Sequence, residues 1–170
     1  MQKQFGFTFL EMLVVIVLAG IIAAIAAPGW LRYLEEQKVT AGRNLLHSKM
    51  KDAQLQARTQ SISWQFSVRE HDDFVEWAIH PKSVAPHSAQ WESLASASIQ
   101  LDGETNFATS GNVSYVRFDE KGNVEYRLGR LTLSSERAPN VKRCIVVSTL
   151  IGATRTAKEQ PEPRDGKLCY

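Results

Sequence analysis

The chain has 170 residues and a formal net charge of +2, with 44% hydrophobic and 22% charged residues. This composition excludes a disordered chain, and the small positive excess points to no polyanionic partner. The length suits one membrane segment followed by one globular domain.

The first element is an apolar run over residues 7–31, in which the only charged side chain is Glu11. Because a spanning helix needs about 20 apolar residues, we predict a transmembrane helix here. The main alternative is a cleaved secretory signal peptide, since residues 24–27 could supply its cleavage site. Glu11 and a leader with only Lys3 argue against it, and a buried soluble helix would normally have one polar face.

Two residues are expected to change the course of this helix. Pro28 cannot donate a helical hydrogen bond and should kink the helix, while Gly20 adds flexibility. The alternative is that Pro28 ends the helix. We expect a kink, because helical patterning resumes beyond it.

Residues 32–60 are predicted to form an amphipathic continuation of the helix. One face carries apolar residues at helical spacing, namely Val39, Leu46, Met50, Ala53 and Ala57. We expect this face to pack on the domain. The opposite face should be solvated, with contacts to other subunits as the alternative, and it carries Arg43, Lys51, Gln54 and Arg58.

Residues 61–170 are predicted to form a β-rich globular domain, because the hydrophobic period changes to two. Alternating segments at 64–68 and 75–79 predict a hairpin, and a second hairpin is predicted from 113–118 and 124–128. The remaining expectations are strands at 98–101, 131–134 and 144–148, and a turn at 138–140. The tail over 157–170 is expected to be extended, and it would be loose without Cys169 to fasten it.

The two cysteines, Cys144 and Cys169, could form a disulfide if the domain is exported. Two unpaired thiols are the alternative. We predict the disulfide, because the apolar anchor argues for export and no odd cysteine remains. Closing such a loop contributes about 3 kcal/mol in the chain-entropy description.

The six residues 6–11, Gly-Phe-Thr-Phe-Leu-Glu, together with the apolar helix resemble the class III signal of type IV pilins and type II secretion pseudopilins. The resemblance implies that a prepilin peptidase cleaves after Gly6 and methylates Phe7, with residues 1–6 as the leader. Phe9 stands where the motif usually has leucine. The resemblance also implies that Glu11 neutralises the terminal amine of a neighbouring subunit, so that neither charge is unpaired in an apolar setting.

The resemblance implies an α+β pilin-like fold, with a long N-terminal helix packed on an antiparallel β-sheet. The C-terminal half is similar to the H-type minor pseudopilins (the GspH/FimT family) at residues 145–148 and 152–155. For such a protein we expect an inner-membrane anchor and a periplasmic domain. The expected partners are other pilin subunits, the prepilin peptidase, the inner-membrane assembly platform and the lipid bilayer.

The predicted function is that of a non-enzymatic subunit of a type II secretion pseudopilus; the alternative is a minor type IV pilin for pilus assembly or DNA uptake. FimT-type pilins carry a G-R-x-R motif, which Gly152 and Arg155 match here while Ala153 replaces the first arginine. Candidate DNA contacts are Arg143, Arg155 and Lys158, although a solvated strand edge is the favoured interpretation.

No enzymatic motif, cofactor or metal site is predicted. The four histidines lack metal-binding spacing, and neither a G-x-S-x-G sequence nor a P-loop occurs. Two loops, 102–106 and 119–123, offer oxygen atoms for calcium. We expect both to be plain turns, because neither matches an EF-hand.

Overall fold

A computed structural model describes residues 8–170, of which residues 8–34 belong to one compact unit and Glu35–Tyr170 form the other. Helix α1, Phe9–Gln60, runs through both units. It is the only element among the described residues of the first unit, and its second half is the first element of the second unit.

In the first unit, helix α1 is continuous through Gly20 and Pro28. The alternative in which Pro28 ends the helix is therefore wrong, while the bend at these residues stays a prediction. The apolar side chains of this segment are exposed, and Ile25 retains 76% of its accessible surface.

In the second unit, the predicted apolar face of α1 is confirmed. Five apolar residues, Val39, Leu46, Met50, Ala53 and Ala57, are fully buried. Their spacings of three, four and seven residues keep them on one side of a helix with 3.6 residues per turn.

The domain contains ten strands in chain order: β1 Trp64–His71, β2 Phe74–Pro81, β3 Glu92–Ser93, β4 Ile99–Leu101, β5 Ala108–Ser110, β6 Val113–Phe118, β7 Gly129–Ser135, β8 Ala138–Val147, β9 Thr154–Arg164 and β10 Lys167–Cys169. A short 3-10 turn, Pro86–Ser88, follows β2. The strands form two five-stranded sheets, ordered β3-β2-β1-β6-β5 and β10-β9-β8-β7-β4, and neighbouring strands are antiparallel.

The core lies between the helix face and the two sheets. Phe66 and Phe118 come from the first sheet, and Leu131, Leu133 and Ile145 from the second; all five are at most 1% exposed. The buried residues Leu131 and Leu133 of β7, and Val141, Ile145 and Val147 of β8, lie at alternate positions, so that one face of the second sheet joins the core.

The hairpin predicted from 64–68 and 75–79 is confirmed as β1 and β2, which pair from Trp64–Pro81 to His71–Phe74. The strand predicted at 124–128 is wrong. Only one bridge, Phe118–Val124, forms there, and the Val124 N–H donates instead to the Leu150 carbonyl at 2.7 Å.

The turn predicted at 138–140 is wrong, because these residues lie inside β8. The tail predicted to be extended and fastened by Cys169 forms most of β9 and all of β10. Pro161 and Pro163 are tolerated in β9 because its pairing with β8 covers only residues 154–158. Prolines beyond that point interrupt no ladder hydrogen bond to β8.

Candidate functional site

The start of helix α1 is capped by Thr8. The Thr8 hydroxyl accepts a hydrogen bond from the Glu11 backbone N–H at 3.2 Å, and the Thr8 carbonyl accepts the Met12 N–H at 3.2 Å. Thr8 and Glu11 thus occupy the first and last positions of a T-x-x-E capping sequence. The sequence analysis missed this role of Thr8, although the spacing was visible.

Glu11 lies on the exposed surface of the first turns of α1, among apolar side chains that are also exposed. Phe9 and Leu10 retain 85% and 71% of their accessible surface, and Met12 retains 51%. Among residues 8–170, no ion pair is formed by Glu11. The carboxylate is therefore available to a group outside the described part of the chain.

The apolar segment that follows Glu11 remains uncovered. Its best 18-residue window has a mean hydropathy of 2.8 and none of that window is buried, so by length and composition the helix could cross a membrane. Trp30 and Tyr33 lie near the end of this segment with ring centroids 5.9 Å apart. The processing residues, Gly6 and Phe7, lie outside the described residues.

The structure joins Cys144 and Cys169 in a disulfide with the Cα atoms 6.1 Å apart, and both residues are fully buried. The Glu104 carboxylate holds the same terminus, because it accepts the Leu168 N–H at 3.0 Å and the Cys169 N–H at 3.1 Å. Burial opposes ionisation of Glu104. These N–H groups and the Lys142 ammonium outweigh it and hold the pKa of Glu104 below its usual value.

Glu35 is a buried carboxylate that the sequence analysis did not identify. It is 6% exposed and accepts hydrogen bonds from Lys38 Nζ at 2.7 Å and from the hydroxyls of Ser98 and Ser135 at 2.9 Å each. The Lys38 hydrogen bond is the largest influence and, with the two serines, holds the pKa of Glu35 below its usual value against the effect of burial.

Arg143, a candidate DNA contact, is buried inside the domain. It is 5% exposed, its guanidinium pairs with Glu36 and Glu159, and its Nε donates to the Thr40 hydroxyl at 3.1 Å. The guanidinium therefore ties α1 to β8 and β9. The prediction that Arg143 contacts DNA is wrong, because its charge is already neutralised and shielded from solvent.

The other two candidate DNA contacts do not form one patch. Arg155 and Lys158 are both exposed on β9, but they are three positions apart, so they lie on opposite faces of the strand. Lys158 is opposite Arg143 in the register, while Arg155 is opposite Val146. A phosphate-binding cluster of the three cations is therefore not assembled.

Most polar residues on the second half of α1 are engaged, so the expectation that this face is simply solvated is wrong. Gln54 Nε2 donates to the Gly122 carbonyl at 2.7 Å, and Arg58 Nε donates to the Lys121 carbonyl at 3.0 Å. Arg43 donates to a carbonyl of β9 at 3.4 Å. These contacts attach the helix to the turn that follows β6 and to strand β9.

Both loops considered for calcium use their oxygen atoms internally. The Asp119 carboxylate accepts the Lys121 and Asn123 N–H groups at 2.9 and 2.7 Å, and Asp102 accepts from Lys142 at 2.9 Å. Within residues 8–170, no group of three or more histidine, cysteine or acidic side chains is placed to hold a metal ion.

Comparisons with known proteins agree with these features. Residues 1–27 match the family described as the prokaryotic N-terminal methylation motif. The fold is similar to the crystal structure of the type IV minor pilin FimU of Pseudomonas aeruginosa strain PAO1, with a TM-score of 0.54 and 10% identity over 72% of this chain and 90% of that one. No curated protein matches the chain significantly.

The long N-terminal helix packed on antiparallel sheets is the pilin fold, and the α+β prediction is confirmed. The chain thus joins the prokaryotic N-terminal methylation motif to a fold similar to that of a minor pilin. Pilin-like proteins assemble with other pilin subunits.

Proposed function

We propose that the chain is a minor subunit of the pseudopilus of a type II secretion system, anchored in the inner membrane by residues 7–31. The domain that begins after the anchor lies on the periplasmic side. One observation carries the proposal: the first half of α1 exposes an apolar surface with a single carboxylate, Glu11. Such a surface needs either lipid or other helices around it.

Processing supplies the partner of Glu11. A prepilin peptidase removes residues 1–6 and methylates Phe7, leaving a cationic amine at the start of the helix. Glu11 of one subunit then pairs with the amine of the next as the helices stack, since an unpaired carboxylate in the bilayer costs about 2.5–3.5 kcal/mol. The absence of an ion-pair partner for Glu11 among residues 8–170 supports this pairing between subunits.

Replacement of Glu11 tests the proposal. We expect Glu11→Ala and Glu11→Leu to insert into the membrane normally but to be lost from the sheared filament fraction, measured by immunoblotting both fractions. Asp52→Asn is a matched control, because it removes a carboxylate from the same helix outside the apolar segment, where the Lys49 ammonium is 3.7 Å away. Normal incorporation of both Glu11 variants would contradict the proposal.

The second candidate is a minor type IV pilin, and a deletion strain separates it from the first. Loss of exoprotein release, with intact pili, supports the secretion system. Loss of pili or of twitching supports the pilus. A defect confined to DNA uptake would require another basic surface, because Arg143 is buried and Arg155 and Lys158 point to opposite faces of β9.

A further inference from the structure

A cavity of about 340 Å³ opens between helix α1 and the β1–β2 hairpin, wholly within the second unit. Its apolar wall consists of two tryptophans and two aliphatic residues, namely Trp64, Trp77, Leu55 and Ile79. A volume above about 300 Å³ and a wall of aromatic and aliphatic side chains are typical of sites for small molecules. We therefore asked which ligand the polar groups of this cavity fit.

Both indole N–H groups of this wall lack a hydrogen-bond partner. Among residues 8–170, no acceptor lies within reach of Trp64 Nε1 or Trp77 Nε1, although both atoms are buried. By contrast, the nearby Trp91 Nε1 donates to the Pro86 carbonyl at 2.9 Å. A buried donor without an acceptor costs stability, and a phenylalanine would avoid that cost. Two such donors in one wall therefore suit a ligand that brings its own acceptor oxygens.

The remaining polar residues of the cavity favour an uncharged ligand. Gln56, Gln90 and Glu92 are exposed and supply amide and carboxylate groups that can donate and accept hydrogen bonds. Lys49 and Asp52 also line the cavity, but their opposite charges lie 3.7 Å apart and offset each other. One exposed carboxylate is left, and a single solvated charge gives little selectivity for an ionic ligand.

The Trp77 ring offers a face on which a ligand can stack. The Lys49 ammonium lies 5.0 Å from the centroid of this ring, so the electron-rich face already attracts positive charge. The Lys49 side chain is 33% exposed and long enough to move aside. The C–H groups of a pyranose ring carry partial positive charge and would stack on the same face, while the oxygen atoms at the ring edge remain free to form hydrogen bonds.

We propose that this cavity binds a saccharide, with one pyranose ring stacked on Trp77. Oxygen atoms of the sugar accept from the two indole N–H groups, and its hydroxyl groups donate to the Glu92 carboxylate. A purely apolar ligand would leave the indole donors unpaired, and an ionic ligand would find the charges of the cavity already balanced. The site goes beyond the proposed function as a filament subunit and does not depend on it.

NMR of the indole N–H groups tests the proposal on the full-length chain, in a detergent without a sugar headgroup. The chain has four tryptophans, and replacing each by phenylalanine assigns its signal. The probes are two disaccharides, diacetylchitobiose and cellobiose. We expect the Trp64 and Trp77 signals to move with a dissociation constant of about 1 mM or below. The Trp91 signal should stay in place, because that N–H already has an acceptor.

The variant Trp64→Phe separates recognition of the sugar from folding. It keeps an aromatic ring in the wall and removes an unpaired donor, so the affinity for diacetylchitobiose should fall about tenfold. Trp91→Phe is the matched control, because it removes an indole N–H that is paired within the domain, and it should leave the affinity unchanged. The melting temperature should fall no further in Trp64→Phe than in Trp91→Phe.

Binding of either disaccharide at the Trp64 and Trp77 signals supports the saccharide site. Tighter binding of diacetylchitobiose would assign the acceptor role to an acetamide carbonyl, and equal binding would assign it to hydroxyl groups. Three outcomes overturn the site: neither disaccharide moves the two signals, the Trp91 signal moves as far as they do, or Trp64→Phe binds as tightly as the native chain. None of them affects Glu11-dependent incorporation, which tests the proposed function separately.

Discussion

Two charged side chains, Glu35 and Arg143, lie inside the domain with their charges paired. Sequence patterns contain a signal for both. Glu35 precedes Val39 by four residues and so extends the buried face of α1, and Arg143 shares its strand parity with Ile145. Their distant partners could not be predicted, because Ser98 and Ser135 lie 63 and 100 positions from Glu35, and Glu36 lies 107 positions from Arg143.

Replacement of Arg143 is expected to destabilise the domain. Arg143→Ala leaves Glu36 and Glu159 without their cation and should lower the free energy of unfolding by about 2 kcal/mol, since both carboxylates remain partly exposed and can be rehydrated. Thermal unfolding of the full chain in detergent measures the effect.

Arg155→Ala is the matched control for Arg143→Ala, because Arg155 is an exposed arginine in the neighbouring strand. It should change the free energy of unfolding by less than about 0.5 kcal/mol. Equal stability losses in the two variants would contradict a structural role for the Arg143 ion pairs. Arg143→Lys should recover only part of the loss, because a lysine cannot reach both carboxylates with a planar fork.

At the scale of elements, the close approach of α1 to the second sheet depends on Gly42. A Cβ atom at this position would lie 3.1 Å from Ile99 Cδ1 and 3.3 Å from Leu94 Cδ1. Gly42→Leu should therefore lower the free energy of unfolding by about 1–3 kcal/mol through overpacking. Ala41→Leu, at the adjacent exposed position, should be nearly neutral, and a similar loss there in urea unfolding would contradict the packing argument.

The β9–β10 hairpin depends on the disulfide to its neighbouring strand. Cys144→Ala with Cys169→Ala should lower the free energy of unfolding by about 3 kcal/mol, because the 25-residue separation is no longer closed. Hydrogen exchange should accelerate first at the Leu168 and Cys169 amides, which bond to Glu104. If both amides kept their protection from hydrogen exchange in the double variant, the β9–β10 hairpin would not depend on the disulfide.

Local patterns predicted the strands that have both alternation and strong apolar content, such as β1 and β2. Local patterns did not predict the structure of segments whose conformation depends on contacts with residues distant in sequence. Residues 124–128 alternate in polarity, yet Tyr126 remains 72% exposed. Residues 154–169 contain two prolines and many charges, yet they form strands because β8 offers a partner edge and the disulfide fixes the end.

At the scale of the whole molecule, the short motif at residues 6–11 and the apolar helix were enough to predict the methylation motif that residues 1–27 match and the fold that the structure shows. The motif acts through covalent processing and helix packing, both of which are local in sequence. The machine that uses the subunit depends on surfaces assembled from distant residues, which a single sequence does not display.

Acid should destabilise the domain through Glu35 and Glu104, whose pKa values are both lowered by folding. The unfolded carboxyl groups titrate near pH 4.3 and bind protons more readily than the folded ones. The two carboxylates therefore stabilise the folded domain fully above about pH 5. This stabilisation is lost as the pH falls through their lowered folded-state pKa values.

Melting temperatures between pH 7 and pH 3 measure this dependence. Glu104→Gln should melt at a lower temperature at neutral pH and should lose less on acidification than the native chain. Glu120→Gln is a control, because Glu120 is exposed in a turn. If the melting temperatures of the native chain and of Glu104→Gln fell in parallel as the pH is lowered, Glu104 would not contribute to the acid sensitivity of the domain.

The link between Cys144 and Cys169 makes maturation of the domain depend on the compartment it occupies. In a reducing cytoplasm the bond does not persist, so under the proposed function a subunit that failed to cross the membrane would keep an unfastened C-terminal hairpin. That hairpin would be an early target for proteases. The disulfide would then act as a quality-control mark that distinguishes exported subunits from retained ones before they enter a filament.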